Sequence, residues 1–260
     1  MKPDYKNWMP KGMIKAFLFA FLGCAAALAV FILALADGTL KTVLLIAFAV
    51  LTLVFFAMTI WSTLMYHAFD YNGKRQMAKQ IIDGTAAYVN LPAGGKILDV
   101  GCGSGALSIA VAKRNPKAEV MAVDRWGKEY ASFSRTLCEQ NAKAEGVKHV
   151  YFTQGDATHL KFPDESFDAI TSNYVYHNIP GDRQAYLLET LRTLKKGGTF
   201  AIHDIMSRTK YGDMQAFVKK LKDMGYEKVE LIDTTNGMFM KKPEAAWMGL
   251  SGSALLVGVK

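Results

Sequence analysis

Cysteine is scarce in this chain of 260 residues: there are three, Cys24, Cys102 and Cys138, with no Cys-x-x-Cys and no histidine cluster beside them. A disulfide framework is excluded, no zinc or other metal ligand set is visible, and a reducing compartment is the default. Internal repeats and low-complexity tracts are missing as well. No basic segment interleaves with aromatics, so the net charge of +8 gives no support to nucleic-acid binding. Disorder is excluded by a composition that is 51% hydrophobic and 21% charged.

Charge is absent altogether from two long runs. Ala16 to Ala36 and Val43 to Met65 carry no acidic or basic residue, and a stretch of about 20 apolar residues is what a helix needs to cross the hydrocarbon core of a bilayer. Two spans are predicted, joined by the turn-like connector Asp37-Gly38-Thr39-Leu40-Lys41-Thr42 into an antiparallel hairpin. Lys2, Lys6, Lys11 and Lys15 precede it and Lys74, Arg75 and Lys79 follow it, which puts both flanks in the cytoplasm. A cleaved signal peptide, suggested by Ala34-Leu35-Ala36, fits less well, because the run exceeds a signal h-region and a second span follows at once. A buried hairpin of a soluble protein would keep a polar stripe.

Residues 1–69 are therefore read as a membrane anchor and 70–95 as an amphipathic juxtamembrane helix and linker, with the apolar face of that helix interrupted by Gly84 and Thr85. From 96 to 260 strands and helices alternate. Apolar runs at Lys96–Val100, Glu119–Val123, Val150–Phe152, Phe167–Ser172 and Gly198–Ile205 are separated by helical stretches at Ala106–Lys113, Lys128–Ala144 and Asp182–Leu194. This predicts a parallel sheet covered on both faces. A helix at Asp213–Gly225 and a terminal hairpin of Lys228–Asp233 with Ala254–Val259 complete it.

The chemistry is concentrated at the ends of these strands. Ile97-Leu98-Asp99-Val100-Gly101-Cys102-Gly103-Ser104-Gly105 places a glycine-rich turn between a strand and a helix, where free N–H groups favour a polar or anionic ligand. Asp124, at the end of the second strand, can accept from ribose hydroxyls. Together they indicate an adenosine cofactor. A dinucleotide oxidoreductase is the nearest rival, with Ala106 at its third glycine position.

On these residues, with Gly155-Asp156-Ala157, Phe162-Pro163-Asp164-Glu165-Ser166-Phe167-Asp168 and Leu194-Lys195-Lys196-Gly197-Gly198, the chain from Gly73 onward resembles the class I S-adenosylmethionine (SAM) dependent methyltransferases. The resemblance implies a Rossmann-like, doubly wound α/β fold: a mostly parallel seven-stranded sheet with a terminal antiparallel hairpin and SAM across the strand ends. It further implies that Gly101, Gly103, Ser104 and Gly105 approach the cofactor's methionine and ribose portion and that Asp99 favours its positive end. Asp124, with Arg125 and Trp126 after it, would hold ribose and adenine, Asp156 and Ala157 would read the adenine, and Asn173 would line the same site.

Acceptor chemistry belongs just past strands four and five. In Ser172-Asn173-Tyr174-Val175-Tyr176-His177-Asn178 the candidate catalytic residues are His177 and Tyr174. An imidazole suits proton removal from a hydroxyl or thiol, although a structural or cofactor-side histidine stands open as its alternative. His203-Asp204 faces the same cleft, with Asp204 read as a cap for the next segment. The expectation is an integral membrane SAM-dependent methyltransferase acting on a lipid or lipophilic small molecule at the cytoplasmic face. The alternatives are an anchored methyltransferase of a soluble small molecule and a non-catalytic SAM-binding sensor or scaffold.

Overall fold

A computed structural model describes residues 2–127 and 132–260 and divides the chain into two compact units, one of residues 7–78 and one of residues 1–6 with 79–260. In the first, α1 (Lys11–Ala34) and α2 (Thr39–Phe69) run antiparallel: Phe21 meets Phe56 at 5.3 Å between ring centroids and Phe31 meets Phe48 at 5.0 Å, so positions advance on one helix as they recede on the other. Each contains an 18-residue stretch of high mean hydropathy, 2.7 in α1 and 2.8 in α2. At 1.5 Å per residue they are about 36 and 46 Å long, both above the roughly 30 Å of a bilayer's apolar layer.

Polar side chains within α2 are satisfied by its own backbone. Thr52, Thr59 and Thr63 hydroxyls donate to the carbonyls of Phe48, Phe55 and Thr59 at 2.6 to 2.7 Å, which lets an exposed helix carry them into an apolar medium. α1 starts before its apolar stretch and stops two residues short of its end, while α2 outruns its own at both ends, because the backbone ladder continues into the polar flanks. The connector is accordingly shorter than predicted: Thr42 N already donates to Gly38 O at 3.1 Å, and Lys41 pairs with Asp37 at 2.9 Å from within α2. At the other end Asn7 Nδ2 donates to Tyr66 O at 2.8 Å and Trp8 packs on Phe69.

The second unit is built on a seven-stranded sheet of order β3-β2-β1-β4-β5-β7-β6. Its elements are β1 (Gly95–Val100), α4 (Ala106–Arg114), β2 (Ala118–Asp124), α5 (Arg135–Ala144), β3 (Val150–Gln154), β4 (Phe167–Asn173), α6 (Arg183–Arg192) and β5 (Leu194–Ile205). They are followed by α7 (Arg208–Tyr211), α8 (Met214–Asp223), β6 (Glu227–Asp233), α9 (Lys242–Trp247) and β7 (Ser253–Val259). Five strands are parallel, and β7 inserts antiparallel between β5 and β6. The fold is the Rossmann-like arrangement the motifs imply. Reversal of strand order at β1 and β4 opens a crevice at their carboxyl ends, the place where such sheets bind ligands.

Three local differences from the sequence reading have physical causes. The described part of α5 begins at Arg135 rather than at Lys128, which lies outside the described residues with Glu129, Tyr130 and Ala131; Ser134 caps it, Oγ accepting from Leu137 N at 3.2 Å. Gly84, within α3 (Met77–Ala86), does not interrupt the apolar face: a Cβ there would meet the Phe239 ring at 2.2 Å, so the glycine makes room for that ring. The first residues of the chain, assigned to the anchor, pack on the sheet unit. Asn141 of α5 accepts from Asp4 N at 2.7 Å and donates to Asp4 O at 3.0 Å, and Tyr5, buried, donates to Glu145 at 3.1 Å.

Candidate functional site

Five residues carry the chain from β1 into α4, and backbone bonds fix their path. Gly101 N and Cys102 N both donate to Val123 O, at 2.7 and 3.1 Å, and Gly103 N donates to Asp124 Oδ2 at 2.8 Å. Gly101 has φ +74, and a Cβ on it would lie 2.1 Å from Val175 Cγ2. A side chain is thus excluded both by conformation and by space, and the loop is pressed against the segment that follows β4.

The other oxygen of Asp124 accepts from Trp126 N at 2.7 Å, and the Trp126 indole Nε1 donates to Gly103 O at 3.1 Å. Each Asp124 oxygen has one backbone donor, and a carboxylate offers about four acceptor positions. Two remain for vicinal hydroxyls, which fits a ribose at the strand end. Gly155 N, at the end of β3, donates to Asp124 O at 3.0 Å and brings the third strand's loop to the same place. There Asp156 is exposed; its Oδ1 accepts from Thr158 N and Oγ1, both at 2.8 Å, and these bonds hold its carboxyl below the usual range. Ala157 is half-buried next to it, and Arg125 is exposed, its carbonyl accepting from Gln154 Nε2 at 3.2 Å.

Asp99 sits deeper than the resemblance implies. It is 1% exposed, and its two oxygens accept from the Ser108 hydroxyl and from Thr171 Oγ1 at 2.9 Å. Burial pushes its carboxyl up to about 7 against those two hydroxyls. Its place is beneath the loop, joining β1 to α4 and β4. Ser104 is also buried, its carbonyl accepting from Asn141 Nδ2 at 3.0 Å. Asn141 was not singled out in the sequence, yet it ties the glycine loop to Asp4.

Across the crevice, Asn173 ends β4 and a 3₁₀ turn, Tyr176–Asn178, follows. His177 Nδ1 makes a short bond to Asp204 Oδ1, and His177 N donates to Asp204 Oδ2 at 3.1 Å. Tyr211 donates to the same carboxylate at 2.7 Å, and Ile205 N to Oδ1 at 2.7 Å. Burial alone would raise Asp204; His177 and the hydroxyl and amide donors outweigh it, and the group stays anionic below its ordinary value. A buried carboxylate at Nδ1 fixes the proton there and leaves Nε2 as the acceptor. Asp204 is thus a dyad partner, not merely a cap.

The neighbouring polar groups are already committed. His203, fully buried, has Nδ1 at 2.8 Å from Asn173 Oδ1 and Nε2 at 3.0 Å from Thr234 Oγ1; burial lowers it to about 4, so it is neutral at physiological pH. Tyr174 adopts φ +54, packs tilted with its ring centroid 4.7 Å from that of His203 and shares a hydrogen bond with Ser253 Oγ at 2.9 Å. Burial raises its phenol well above the ordinary value, so it enters the site as a wall. Of the two catalytic candidates, His177 has a buried carboxylate on its ring nitrogen and Tyr174 a serine hydroxyl on its phenol.

The fold and this crevice define an α/β protein that binds an adenosine cofactor at the carboxyl ends of a reversed-hairpin sheet. The methyltransferase-domain family matches residues 91–245, and the chain belongs to that SAM-dependent family. Demethylmenaquinone methyltransferase of Anoxybacillus flavithermus is 33% identical over 137 residues, which cover 51% of this chain and 54% of that protein. The chain thus matches about half the length of such relatives. Among solved structures, the [4+2]-cyclase SpnF superposes with a TM-score of 0.54 at 19% identity over 74% of this chain and 85% of its own. A Haemonchus contortus phosphoethanolamine N-methyltransferase in complex with S-adenosylhomocysteine reaches 0.55 at 14% identity, over 78% and 58%. At these identities both bear on fold alone.

Proposed function

We propose that this protein methylates a hydroxyl-bearing or similarly protonated lipophilic acceptor at the cytoplasmic face of a membrane, with SAM as methyl donor and His177 as general base. The observation that carries this reading is the His177–Asp204 dyad beside the glycine loop: Val175, two residues before His177, packs on Gly101. Bound in the crevice, SAM supplies a methyl group already activated on a sulfonium. Asp124 and the Gly101–Gly105 backbone hold its ribose side, Trp126 closes over the loop, and Asp156 with Ala157 marks the adenine end. Asn173 lines the join between the two halves. His177 Nε2 removes the acceptor's proton while Asp204 stabilises the resulting imidazolium, a contribution of about 10²- to 10⁴-fold.

The acceptor's lipophilic character is inferred from two findings. The chain carries two helices long and apolar enough to cross a membrane, and relatives at 30 to 33% identity are demethylmenaquinone methyltransferases. A quinol or phenol on an apolar tail satisfies both the base and the anchor. Lysines on both flanks of the hairpin favour a cytoplasmic catalytic unit, where SAM is present.

The test is to incubate detergent-purified full-length protein with methyl-labelled SAM and extracted membrane lipids. Label is expected in an apolar product, and the His177→Asn protein should bind S-adenosylhomocysteine normally while forming that product at least about 100-fold more slowly. Absence of any labelled apolar product from protein shown to bind S-adenosylhomocysteine would overturn the acceptor class.

A further inference from the structure

The connection between β6 and β7, Thr234 to Gly252, leaves the sheet at the end where the crevice lies, since Asp233 pairs with Ala254 and Ala254 with Asp204. Its inner side is part of the acceptor wall. Thr234 bonds His203, the Phe239 ring stands 5.4 Å from the His203 ring, and Ser253 just after it bonds Tyr174. Backbone bonds from Phe239 N and Met240 N to Thr234 O, and from Gly237 N to Met240 O, keep it compact, and Met240, Met248 and Leu250 are buried beneath it.

Its outer side is apolar and basic, and among the described residues it alone pairs an exposed tryptophan with an exposed methionine at this end of the sheet. Met238 is 43% exposed and Trp247 45% exposed, with Lys241 and Lys242 exposed between them. The one acid of the segment, Glu244, turns back to accept from Lys241 N at 3.4 Å. A tryptophan and a long apolar side chain flanked by lysines on a rigid element have the chemistry of a bilayer interface, where an indole sits at headgroup depth and ammonium groups meet anionic lipid. A lipid surface is also the partner already at hand if the two apolar helices of the same chain are inserted.

We propose that Thr234–Gly252 is a second, interfacial membrane contact, seated on anionic headgroups, that turns the acceptor wall of the crevice toward the bilayer. It rests on the membrane reading above, and it sets the side of the crevice that holds Phe239 and Tyr174 next to the lipid in which an apolar acceptor is dissolved.

The test uses the full chain in lipid nanodiscs, with Cys24→Ser so that only an introduced thiol is labelled. A fluorophore is placed in turn at Met238→Cys, Met224→Cys and Val50→Cys, and quenched by acyl-chain nitroxide lipids. Met224 is 55% exposed but precedes β6, at the opposite end of the sheet, and Val50 lies within α2. Quenching at Val50 and Met238 but not Met224 is expected in discs containing phosphatidylglycerol. Lys241→Glu with Lys242→Glu should weaken the Met238 signal at least about twofold. Quenching at Val50 with Met238 no different from Met224 would overturn the interfacial contact while leaving the anchor intact. Absence of quenching at Val50 would remove the anchor and the proposal with it. A Met238 label shielded from both lipid and aqueous quenchers would put a protein on this face instead, and would equally overturn it.

Discussion

His177 lies in the turn that follows β4 and Asp204 at the end of the adjacent parallel strand β5, and the register that pairs Asn173 with His203 brings them together. Asp204→Asn tests the dyad without removing a side chain. An amide there can donate to His177 Nδ1, which moves the imidazole proton to Nε2 and takes away the acceptor. The expected loss in kcat is about 10²- to 10⁴-fold, as when the carboxylate of a His–Asp pair is neutralised elsewhere. Affinity for S-adenosylhomocysteine, measured calorimetrically, should be unchanged. Equal turnover in wild type and Asp204→Asn would reduce the pair to a structural bond. The sequence displayed His177 because it follows a strand end within a polar stretch. It left Asp204 as a cap, because the partnership depends on a neighbouring strand and has no spacing of its own.

Among the elements, the most legible were those whose signal is local: apolar runs for the strands, and Asp99-x-Gly101-x-Gly103-x-Gly105 for the turn into α4. Contacts between distant elements were not legible. Gly84 looked like a flaw in an amphipathic pattern until Phe239 filled the space over it. Asn141 looked like an ordinary polar position on α5, yet it is 2% exposed and bonds Asp4 and Ser104 at once. That arrangement makes the chain's first residues a clasp on the back of the cofactor loop. Asn141→Ala removes the bonds and leaves the Ser104 carbonyl buried, a cost of about 1 to 3 kcal/mol. If only about 1 kcal/mol of it is felt by the loop, S-adenosylhomocysteine binds about fivefold more weakly. Hydrogen exchange at Asp4 to Lys6 should quicken in the same variant. Unchanged affinity together with faster exchange would show that the clasp serves the N-terminus only. Gly101→Ala is a harsher change: with φ +74 and Val175 in the way, it should abolish cofactor binding in protein that still folds.

At the scale of the whole molecule, two buried groups of the sheet unit oppose each other in pH. His203 is lowered from 6.5 to about 4 by burial, with His177 adding to the effect and Asp204 opposing it. Between those values the unfolded chain takes up a proton that the fold refuses, so this contribution to stability is complete above pH 6.5 and is lost as pH falls toward 4. Asp99 is raised from 3.8 to about 7. Here the fold keeps a proton that the unfolded chain has released, so stability is complete below pH 3.8 and is lost as pH rises through 7. Each group changes the unfolding free energy by up to about 1.4 kcal/mol per pH unit. From about pH 4 to 6.5 the two slopes have opposite signs and cancel, so the native protein hides both. Single variants should reveal them. Relative to wild type, Asp99→Asn should gain stability as pH rises from 4 to 7, and His203→Asn should lose it from 4 to 6.5. The slowest-exchanging amides of β1 and β5, followed in detergent, report this unit without the helical hairpin. Difference curves that are flat for both variants would mean that neither group titrates in the window its burial implies. A slope in one variant alone would locate the error at the other residue.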